Sequence, residues 1–464
     1  MSARLFLRFI ALIYLIAFWS LGTQILGLIG SQGILPVKDF LDGILQYWGP
    51  QHFWKAPTLC WFNSSDTFLL FLCVAGCVCS ILSFAGILPW LNAFLLWVLY
   101  LSLTIVGQEF LGFQWDNLLL ETGFLAIFLL PVRRSWRWRR DEGPSRIVIW
   151  LLRLLLFKLM FESGLVKILS GDTTWSNFTA LTYHYLTQPL PNIISWYFYQ
   201  LPVWFHKLSC FFVFVVELVI PFLIFCGRRA RWIAFWILIG FQLLIVLTGN
   251  YCFFNLLAIA LCFLLLDDVK LSVRRPPLWH TLIASVIAVA VLTVSTIQMV
   301  AAFNRPLSRL AYSIVRFVNP LRTINSYGLF AMMTTERDEI IIEGSQDADT
   351  WQAYEFRWNP GDLMQPPGWV MPHQPRLDWQ MWFAALGDYR QNPWLIYTMA
   401  RLLQGSSPVL DLFKSNPFKD RSPRYIRAII YEYSFTDFAT KQKTKAWWQR
   451  EFKGSYTPIL SLTR

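Results

Sequence analysis

Long apolar runs constrain this chain more than any other feature of its sequence. A helix rises about 1.5 Å per residue, so it needs roughly 20 apolar residues to cross the hydrocarbon core of a bilayer. Runs of about that length occur at 5–28, 67–88, 90–108, 111–131, 147–168, 208–226, 232–249, 251–267 and 281–302. The sequence therefore predicts a polytopic α-helical membrane bundle of about nine spans, which forms a first domain over residues 1–302.

The composition agrees with a membrane protein. Of the 464 residues, 56% are hydrophobic and only 15% are charged, and the mean hydropathy is +0.45. These values lie outside the range of ordinary soluble chains. The net charge of +12 raises nucleic-acid binding as an alternative, but no basic patch accompanies a known nucleic-acid-binding motif. We expect the lipid bilayer, and no nucleic acid, as a partner.

The basic residues predict the orientation in the membrane. Cytoplasmic loops of membrane proteins carry an excess of Lys and Arg, and nine spans with Arg4 inside put three basic loops inside. These loops contain Arg133, Arg134, Arg137, Arg139, Arg140 and Arg146; Arg228, Arg229 and Arg231; and Lys270, Arg274 and Arg275. We expect an integral multi-pass protein of the endoplasmic reticulum membrane in a eukaryote, or of the inner membrane in a bacterium.

The same topology places the C-terminal region outside the cytoplasm, together with the glycosylation sequons at Asn63 and Asn177. Residues 303–464 are predicted to form a second, extracytoplasmic domain of mixed α+β structure that is rich in strands. The run at 339–358 has the alternation of two strands around an Asp-rich turn, and the run at 424–435 is a further strand. Asn392, Pro393 and Gly405 fit the start and end of a helix.

One segment of this tail, "MPHQPRLDWQMWFAALGDY" at 371–389, is dense in aromatic residues. We expect a short helix that Asp378 caps and Gly387 ends. Its apolar face would comprise Trp379, Trp382, Phe383 and Leu386, and the loop before it would present His373, Gln374 and Arg376. Two interpretations stay open: the face is core and the loop a hydrogen-bonded corner, or the segment is an exposed platform for a client protein. The client-binding candidates are His373, Arg376, Trp379 and Trp382.

Several ionisable residues lie inside the apolar runs, where charges are costly and usually paired. They are Asp116, Glu121, Arg153, Lys158, Glu162, Lys167 and Glu217. Counting residues from the inner ends puts Glu121 level with Lys158, and Glu217 level with Arg153, so we expect these two pairs. A neutralised network that fixes helix register and a proton path or catalytic site are both open interpretations.

No familiar catalytic or metal-binding motif occurs elsewhere in the sequence. The five His residues are scattered, and there is no HExxH, Cys/His cluster, GxSxG or P-loop. Eight Cys residues are present, but none follows Cys262, so the tail has no disulfides. We expect no metal and no cofactor.

Long runs of the sequence resemble the lipase maturation factor family. In order from Phe113 to Phe435, they are "FQWDNLLLETGFLAIFL", "GLVKILSGDTTWSNFTALTYHYLTQPLP", "INSYGLFAMMT", "EGSQDADTW", "PHQPRLDWQMWFAALG", "PWLIYTMARLLQGSSPVLDLF" and "RYIRAIIYEYSF". The resemblance implies a multispanning membrane protein without enzymatic activity. It would assist the folding and assembly of secreted lipases as its clients, with the C-terminal domain on the lumenal side.

A shorter run, "GLVKILSGDTTW", resembles the membrane portion of the vitamin K-dependent gamma-carboxylases and their bacterial relatives. This second resemblance implies an alternative function as a membrane-embedded enzyme with intramembrane acid/base residues. By position, Lys167 would carry the base chemistry, with Glu121 and Lys158 as further candidates.

Overall fold

The structure is a computed structural model that describes residues 2–129, 144–266 and 278–462. The basic residues Arg133, Arg134, Arg137, Arg139, Arg140, Lys270, Arg274 and Arg275 lie outside the described residues. The helices of the first part are α1 (Ser2–Gly22), α2 (Ile25–Ile29), α3 (Val37–Trp48), α4 (His52–Lys55), α5 (Asp66–Ala85), α6 (Pro89–Val106), α7 (Gln114–Leu129), α8 (Arg146–Leu169), α9 (Thr173–Ser176), α10 (Ala180–Thr187), α11 (Ile193–Tyr199), α12 (Val203–Phe214), α13 (Arg228–Thr248), α14 (Phe254–Cys262) and α15 (Leu278–Ala302).

Within the described ranges, six helices are long and apolar enough to cross a membrane. They are α1, α5, α6, α13, α15 and the helix that starts as α12 and continues through a π-helical and a 3₁₀ segment to Phe225. The predicted count of nine spans is not confirmed. Of the three other predicted spans, α7 has 16 residues and α14 has nine, and α8 carries five charged side chains.

Two of these helices, α7 and α14, form the inside of the bundle, whereas α8 is buried on one side and exposes Trp150 and Ile168 on the other. Every residue of α14 except Leu256 is buried, and so are Asp116 and Glu121 of α7. Periodicity and length alone do not distinguish a buried helix from a lipid-facing span, which is why the apolar runs gave a higher count.

The C-terminal part combines helices with one four-stranded antiparallel sheet. Its elements are α16 (Arg309–Val318), β1 (Arg337–Ser345), β2 (Gln352–Tyr354), α17 (Arg376–Ala385), α18 (Pro393–Leu403), α19 (Ser407–Leu410), β3 (Tyr425–Phe435), α20 (Phe438–Thr444) and β4 (Trp448–Ser455). The strand order is β2-β1-β3-β4, and Ile340 of β1 pairs with Ile430 of β3. The predicted strands around the Asp-rich turn, the strand at 424–435 and the helix after Asn392 are confirmed.

The bundle and the tail share one hydrophobic core. A single cluster of buried side chains runs from Phe6 in α1 through Trp115 in α7 to Trp379 in α17 and Ile426 in β3. The predicted domain division between residues 302 and 303 stays a prediction, although α15 does end at Ala302. The shared core means that the tail is packed on the membrane bundle, and the contacts between the two contain most of the predicted site residues.

Candidate functional site: buried polar contacts between tail and bundle

Arg376 forms a two-pronged ion pair with Asp116 at the start of α7. Its Nη1 lies 2.6 Å from Oδ2 of Asp116, and its Nη2 lies 2.8 Å from Oδ1. Nη1 also donates to the carbonyl oxygen of Phe110 at 2.9 Å, and the Tyr100 hydroxyl donates to Oδ1 of Asp116 at 2.5 Å. Asp116 and Arg376 are at most 1% exposed. Two buried charges are stable only with good geometry and further hydrogen bonds, which both Nη atoms of Arg376 and both carboxylate oxygens of Asp116 have here.

The residues before Arg376 are bound to the end of α1. Ser20 Oγ accepts a hydrogen bond from the backbone N–H of Gln374 and lies 2.9 Å from Nδ1 of His373. Gln24 accepts from the backbone N–H of Arg376 at 2.8 Å and donates to the carbonyl of Gln374 at 2.7 Å. Burial, together with the nearby Arg376 and Arg357 charges, lowers the pKa of His373 to about 4. His373 is therefore a neutral, structural part of the contact.

The helix α17 differs from its prediction in two ways. Its N-cap is Pro375, and Asp378 does not cap it but accepts hydrogen bonds from the backbone N–H groups of Trp358 and Asn359. Burial raises the pKa of Asp378 to about 6, against the opposing effect of those N–H groups. The prediction that one apolar face of the helix is buried as a whole is also wrong, because Phe383 and Leu386 are 41% and 49% exposed.

The client-binding candidates of this segment are inside the molecule. Trp379 is 3% exposed and packs edge-on against Trp115 of α7, with ring centroids 4.7 Å apart. Trp382 is 8% exposed and donates its indole N–H to the carbonyl of Thr187 at 2.8 Å. With Arg376 buried and His373 half-buried, the exposed-platform interpretation is wrong. The interpretation of the segment as core and hydrogen-bonded corner describes it correctly.

A second contact lies deeper in the bundle, where the chain at 323–328 re-enters it. Lys158 lies 3.4 Å from Glu121, which is the pair expected from their depths, and it donates to the carbonyl of Asn325 at 2.7 Å. Glu121 in turn accepts from the backbone N–H of Asn325 at 2.8 Å and from the Tyr327 hydroxyl at 2.7 Å. The buried pair thus binds the backbone of a tail segment.

Glu162 and Gln114 hold the next residues of the same segment. Glu162 accepts from the backbone N–H of Tyr327 at 2.8 Å. The Gln114 side chain both accepts from the N–H of Gly328 and donates to its carbonyl, each at 3.0 Å. A Cβ at Gly328 would lie 2.7 Å from a methyl group of Val166, so this close approach to α8 requires glycine.

Lys167 and Glu217 form a third buried pair, which was not predicted. Lys167 Nζ lies 2.8 and 3.0 Å from the two carboxylate oxygens of Glu217. The expected Arg153–Glu217 pair is wrong, because Arg153 instead donates to the carbonyl of Leu264 at 2.9 Å. The π-helical continuation of α12 packs on α8 at Gly164, where a Cβ would lie 2.9 Å from the Cβ of Glu217, and this contact puts Glu217 beside Lys167.

The sequence did not indicate two further contacts, those of Arg337 and Asn250, because neither residue lies in an apolar run with other charges. Arg337 is 1% exposed. Its guanidinium group donates to three backbone carbonyls at and just after the end of α10, those of Leu186, Gln188 and Pro189. Asn250 accepts from the N–H of Val370 at 2.9 Å. An Arg within the charged run 336–339, or a single Asn between two apolar runs, gives no local pattern that predicts its burial.

Acidic side chains that could hold a metal ion form one group of three within the described residues, Glu336, Asp338 and Glu432. Lys453 lies 3.0 Å from oxygens of Glu336 and Asp338, so an ammonium group already binds to this cluster. The buried pairs described above bind backbone groups and each other. The arrangement of Arg376–Asp116 and Lys158–Glu121 accounts for a structural role in fastening the tail to the bundle, whereas Lys167–Glu217 joins two elements within the bundle.

Two family models match the sequence of this chain. The model described as "Lipase maturation factor transmembrane domain" matches residues 1–273, and the one described as "Lipase maturation factor C-terminal domain" matches residues 323–458. The chain belongs to the lipase maturation factor family. The resemblance noted in its sequence is thereby confirmed, and the chain is an integral membrane protein.

Relatives in the lipase maturation factor family align over almost the whole chain. Lipase maturation factor 2 of Xenopus tropicalis is 35% identical over 97% of this chain and 81% of its own length. Lipase maturation factor 2 of Homo sapiens is 34% identical over 99% and 82%, and lipase maturation factor 1 of Mus musculus is 35% identical over 98% and 86%. No solved structure matches the chain. These matches give no support to the enzymatic alternative built on Lys167, Glu121 and Lys158.

Proposed function

We propose that this chain is a membrane-anchored maturation factor that assists the folding and assembly of secreted lipases. The names of its relatives support lipases as the clients. In the structure, the proposal rests on the buried Arg376–Asp116 pair, which fastens the tail to the bundle. A client that emerges at the membrane would thus meet a domain with a fixed position and orientation.

The positions of the basic residues support a tail on the extracytoplasmic side. The tail contacts the C-terminal ends of α1 and α13, at Ser20 and near Asn250. Arg4 lies at the opposite end of α1, and Arg228, Arg229 and Arg231 lie at the opposite end of α13. By the positive-inside rule, the end away from the tail is cytoplasmic. The protein would lie in the endoplasmic reticulum membrane of a eukaryote or the inner membrane of a bacterium.

A reporter fusion tests the orientation. An enzyme that is active only in the cytosol is fused after Arg464 in one version and after Arg140 in another. We expect activity for the fusion after Arg140 and none for the fusion at Arg464. Strong activity at Arg464 would contradict the proposed orientation.

A complementation assay tests the proposed function. The chain is expressed with a secreted lipase in cells that lack their own maturation factor, and the specific activity of the lipase is measured. We expect the wild type to raise this activity and Arg376→Leu to lose the effect, while Lys414→Leu, which changes an exposed side chain, keeps it. No increase with well-expressed wild-type protein would overturn lipases as the clients.

A further inference from the structure

A cavity of about 480 Å³ lies inside the membrane bundle, next to the contacts that fasten the tail, and Leu329 and Phe330 of the tail are part of its lining. Residues of α8, α10, α12, α13 and α14 line it, and most of its surface is apolar, including Leu159, Phe212, Phe241 and Leu244. Its volume is within the range of about 300–1,000 Å³ that small-molecule sites occupy. The cavity is thus large enough for a ligand and has the lining of a hydrophobic site.

One side of this cavity faces the lipid. Leu208 and Phe212 of α12 and Leu244 of α13 line it and are 46%, 54% and 45% exposed. Both helices belong to segments long and apolar enough to span a membrane. Exposed apolar side chains on such segments face acyl chains, so the occupant enters from the bilayer.

His184 provides a hydrogen-bond acceptor without a partner at the polar end of the cavity. The Gln188 amide donates to the carbonyls of Tyr185 and Thr248, which fixes its Oε1 as the acceptor of the Tyr251 hydroxyl proton. The Tyr251 oxygen must then accept from Nε2 of His184, 3.1 Å away. Burial and the nearby Lys167 charge lower the pKa of His184 to about 4. The ring is therefore neutral, and its Nδ1, buried and unpartnered, carries a lone pair.

Asn255 provides a second acceptor in the lining of the same cavity. Its side chain is 1% exposed, and its amide nitrogen donates to Oε1 of Gln242 at 2.7 Å. The amide oxygen of Asn255 has no partner among the described residues. A buried acceptor left unpaired costs about 1–3 kcal/mol, so both acceptors point to a ligand that donates hydrogen bonds.

The charge of the ligand follows from Lys167. Its ammonium group lines the cavity but is already neutralised by both oxygens of Glu217. A carboxylate or phosphate would add a negative charge beside Glu217 and beside two lone-pair acceptors, and like charges at low dielectric repel strongly. A neutral head group with hydroxyl donors fits the site better than an anionic one.

We propose that this cavity binds a neutral single-chain lipid whose head group carries free hydroxyl groups, of the monoacylglycerol class. Its acyl chain lies along the apolar wall and leaves through the opening at Leu208, Phe212 and Leu244. Its hydroxyl groups donate to Nδ1 of His184 and to Oδ1 of Asn255. This inference goes beyond the proposed maturation function and does not depend on the identity of the client.

Photolabelling of the purified full-length protein in nanodiscs tests the proposal. The probe is a monooleoylglycerol that carries a diazirine in its acyl chain, and the labelled residues are mapped by mass spectrometry. We expect saturable labelling of cavity residues that unlabelled monooleoylglycerol competes away and oleate does not. Equal competition by oleate would overturn the neutral class, and the absence of saturable labelling in the cavity would overturn the site.

Variants separate the opening from the acceptors. Leu244→Trp narrows the opening and should abolish labelling, whereas Leu243→Trp, equally exposed on α13 but outside the lining, should leave it unchanged. His184→Phe removes one acceptor and should weaken binding about two- to tenfold, the usual effect of one hydrogen bond. Melting temperatures check folding, and the exposed position of Leu244 keeps the test valid if His184→Phe unfolds. Unchanged labelling in Leu244→Trp, or in folded His184→Phe, contradicts the proposed binding mode.

Discussion

Arg376 and Asp116 are buried where neither charge is stable alone, so the two residues depend on each other. Asp116 belongs to α7 of the bundle, and Arg376 begins α17 of the tail, 260 positions later in the chain. Lys158 and Glu121 depend on each other in the same way. Lys158 also donates to the carbonyl of Asn325, and Glu121 also accepts from the backbone N–H of Asn325 and the Tyr327 hydroxyl. At the scale of single residues, the tail is held by buried charges that pair with each other.

A double-mutant cycle measures the Arg376–Asp116 pair. Arg376→Leu and Asp116→Leu should each destabilise the protein by about 3–5 kcal/mol, because each leaves an unpaired buried charge. The double variant should recover much of this loss. Thermal unfolding in detergent and the amount of monodisperse protein are the measurements. A double variant as unstable as the sum of the two single ones would show that the residues do not stabilise each other.

His373 gives the contact a dependence on pH. Its pKa is lowered from the ordinary 6.5 to about 4, so between these values the unfolded chain binds a proton that the folded protein does not. Stability contributed by neutral His373 is present above pH 6.5 and is lost as the pH falls toward 4, by up to about 1.4 kcal/mol per pH unit.

The comparison of wild type with His373→Gln isolates this effect. Melting temperatures are measured from pH 7 to pH 4.5, and the wild type should decline more steeply than the variant. Asp378 and Glu339, whose pKa values burial raises, and His184 titrate in both proteins and cancel in the difference. Parallel profiles would mean that His373 is protonated without cost.

At the scale of elements, the tail is connected to the bundle by the segment 323–328 and by α17. The first has no regular structure within the bundle, so its backbone groups need side-chain partners, which Glu121, Glu162 and Gln114 supply. The helix α17 is buried on almost every side, including Gln380 and Asp378. Both elements are enclosed because two larger layers, the bundle and the sheet, close on them.

Gly328→Ala tests how tightly the re-entering segment packs on α8. The added methyl group would lie 2.7 Å from Val166, and overpacking of this kind costs about 1–3 kcal/mol. Gly361→Ala is the matched control, since a Cβ there meets nothing within 4 Å. Melting temperatures of the two variants in detergent should differ clearly. Equal melting temperatures would mean that the segment moves away from α8 at little cost.

At the scale of the whole molecule, the bundle and tail behave as one packed body. The connection after α15 is exposed from Ala302 to Pro306, so it contributes little to the attachment. The shared core and the buried ion pairs supply the binding surface instead. Salt screens exposed charges over about 8–10 Å but has much less effect on buried pairs.

Cleavage of this connection tests the attachment. A protease site is inserted between Asn304 and Arg305, and the detergent-solubilised protein is cut and passed over a size-exclusion column. We expect the two fragments to elute together at both low and high salt. With Arg376→Leu, a larger share of the tail should separate. Complete separation of the wild-type fragments would mean that the covalent connection, and not the interface, holds the tail.

The sequence by itself determined the membrane character, the strands β1 and β3, the helix after Asn392 and the Glu121–Lys158 pair. Each follows from local periodicity, from composition or from the depth of a residue along a helix, and all three can be read from the order of the residues alone. It did not determine which apolar runs are buried, since the composition of α7 and α14 fits a membrane span and an interior helix equally well.

Only the tertiary structure decided the partners of Asp116, Glu217 and Asp378, and with them the place of Trp379 and Trp382 inside the molecule. Arg376 meets Asp116 because the tail folds back onto the bundle, and Glu217 meets Lys167 because Gly164 lets the π-helical continuation of α12 approach α8. Such contacts join residues far apart in the chain. Their energies depend on burial and distance in space, which no local pattern of residues records.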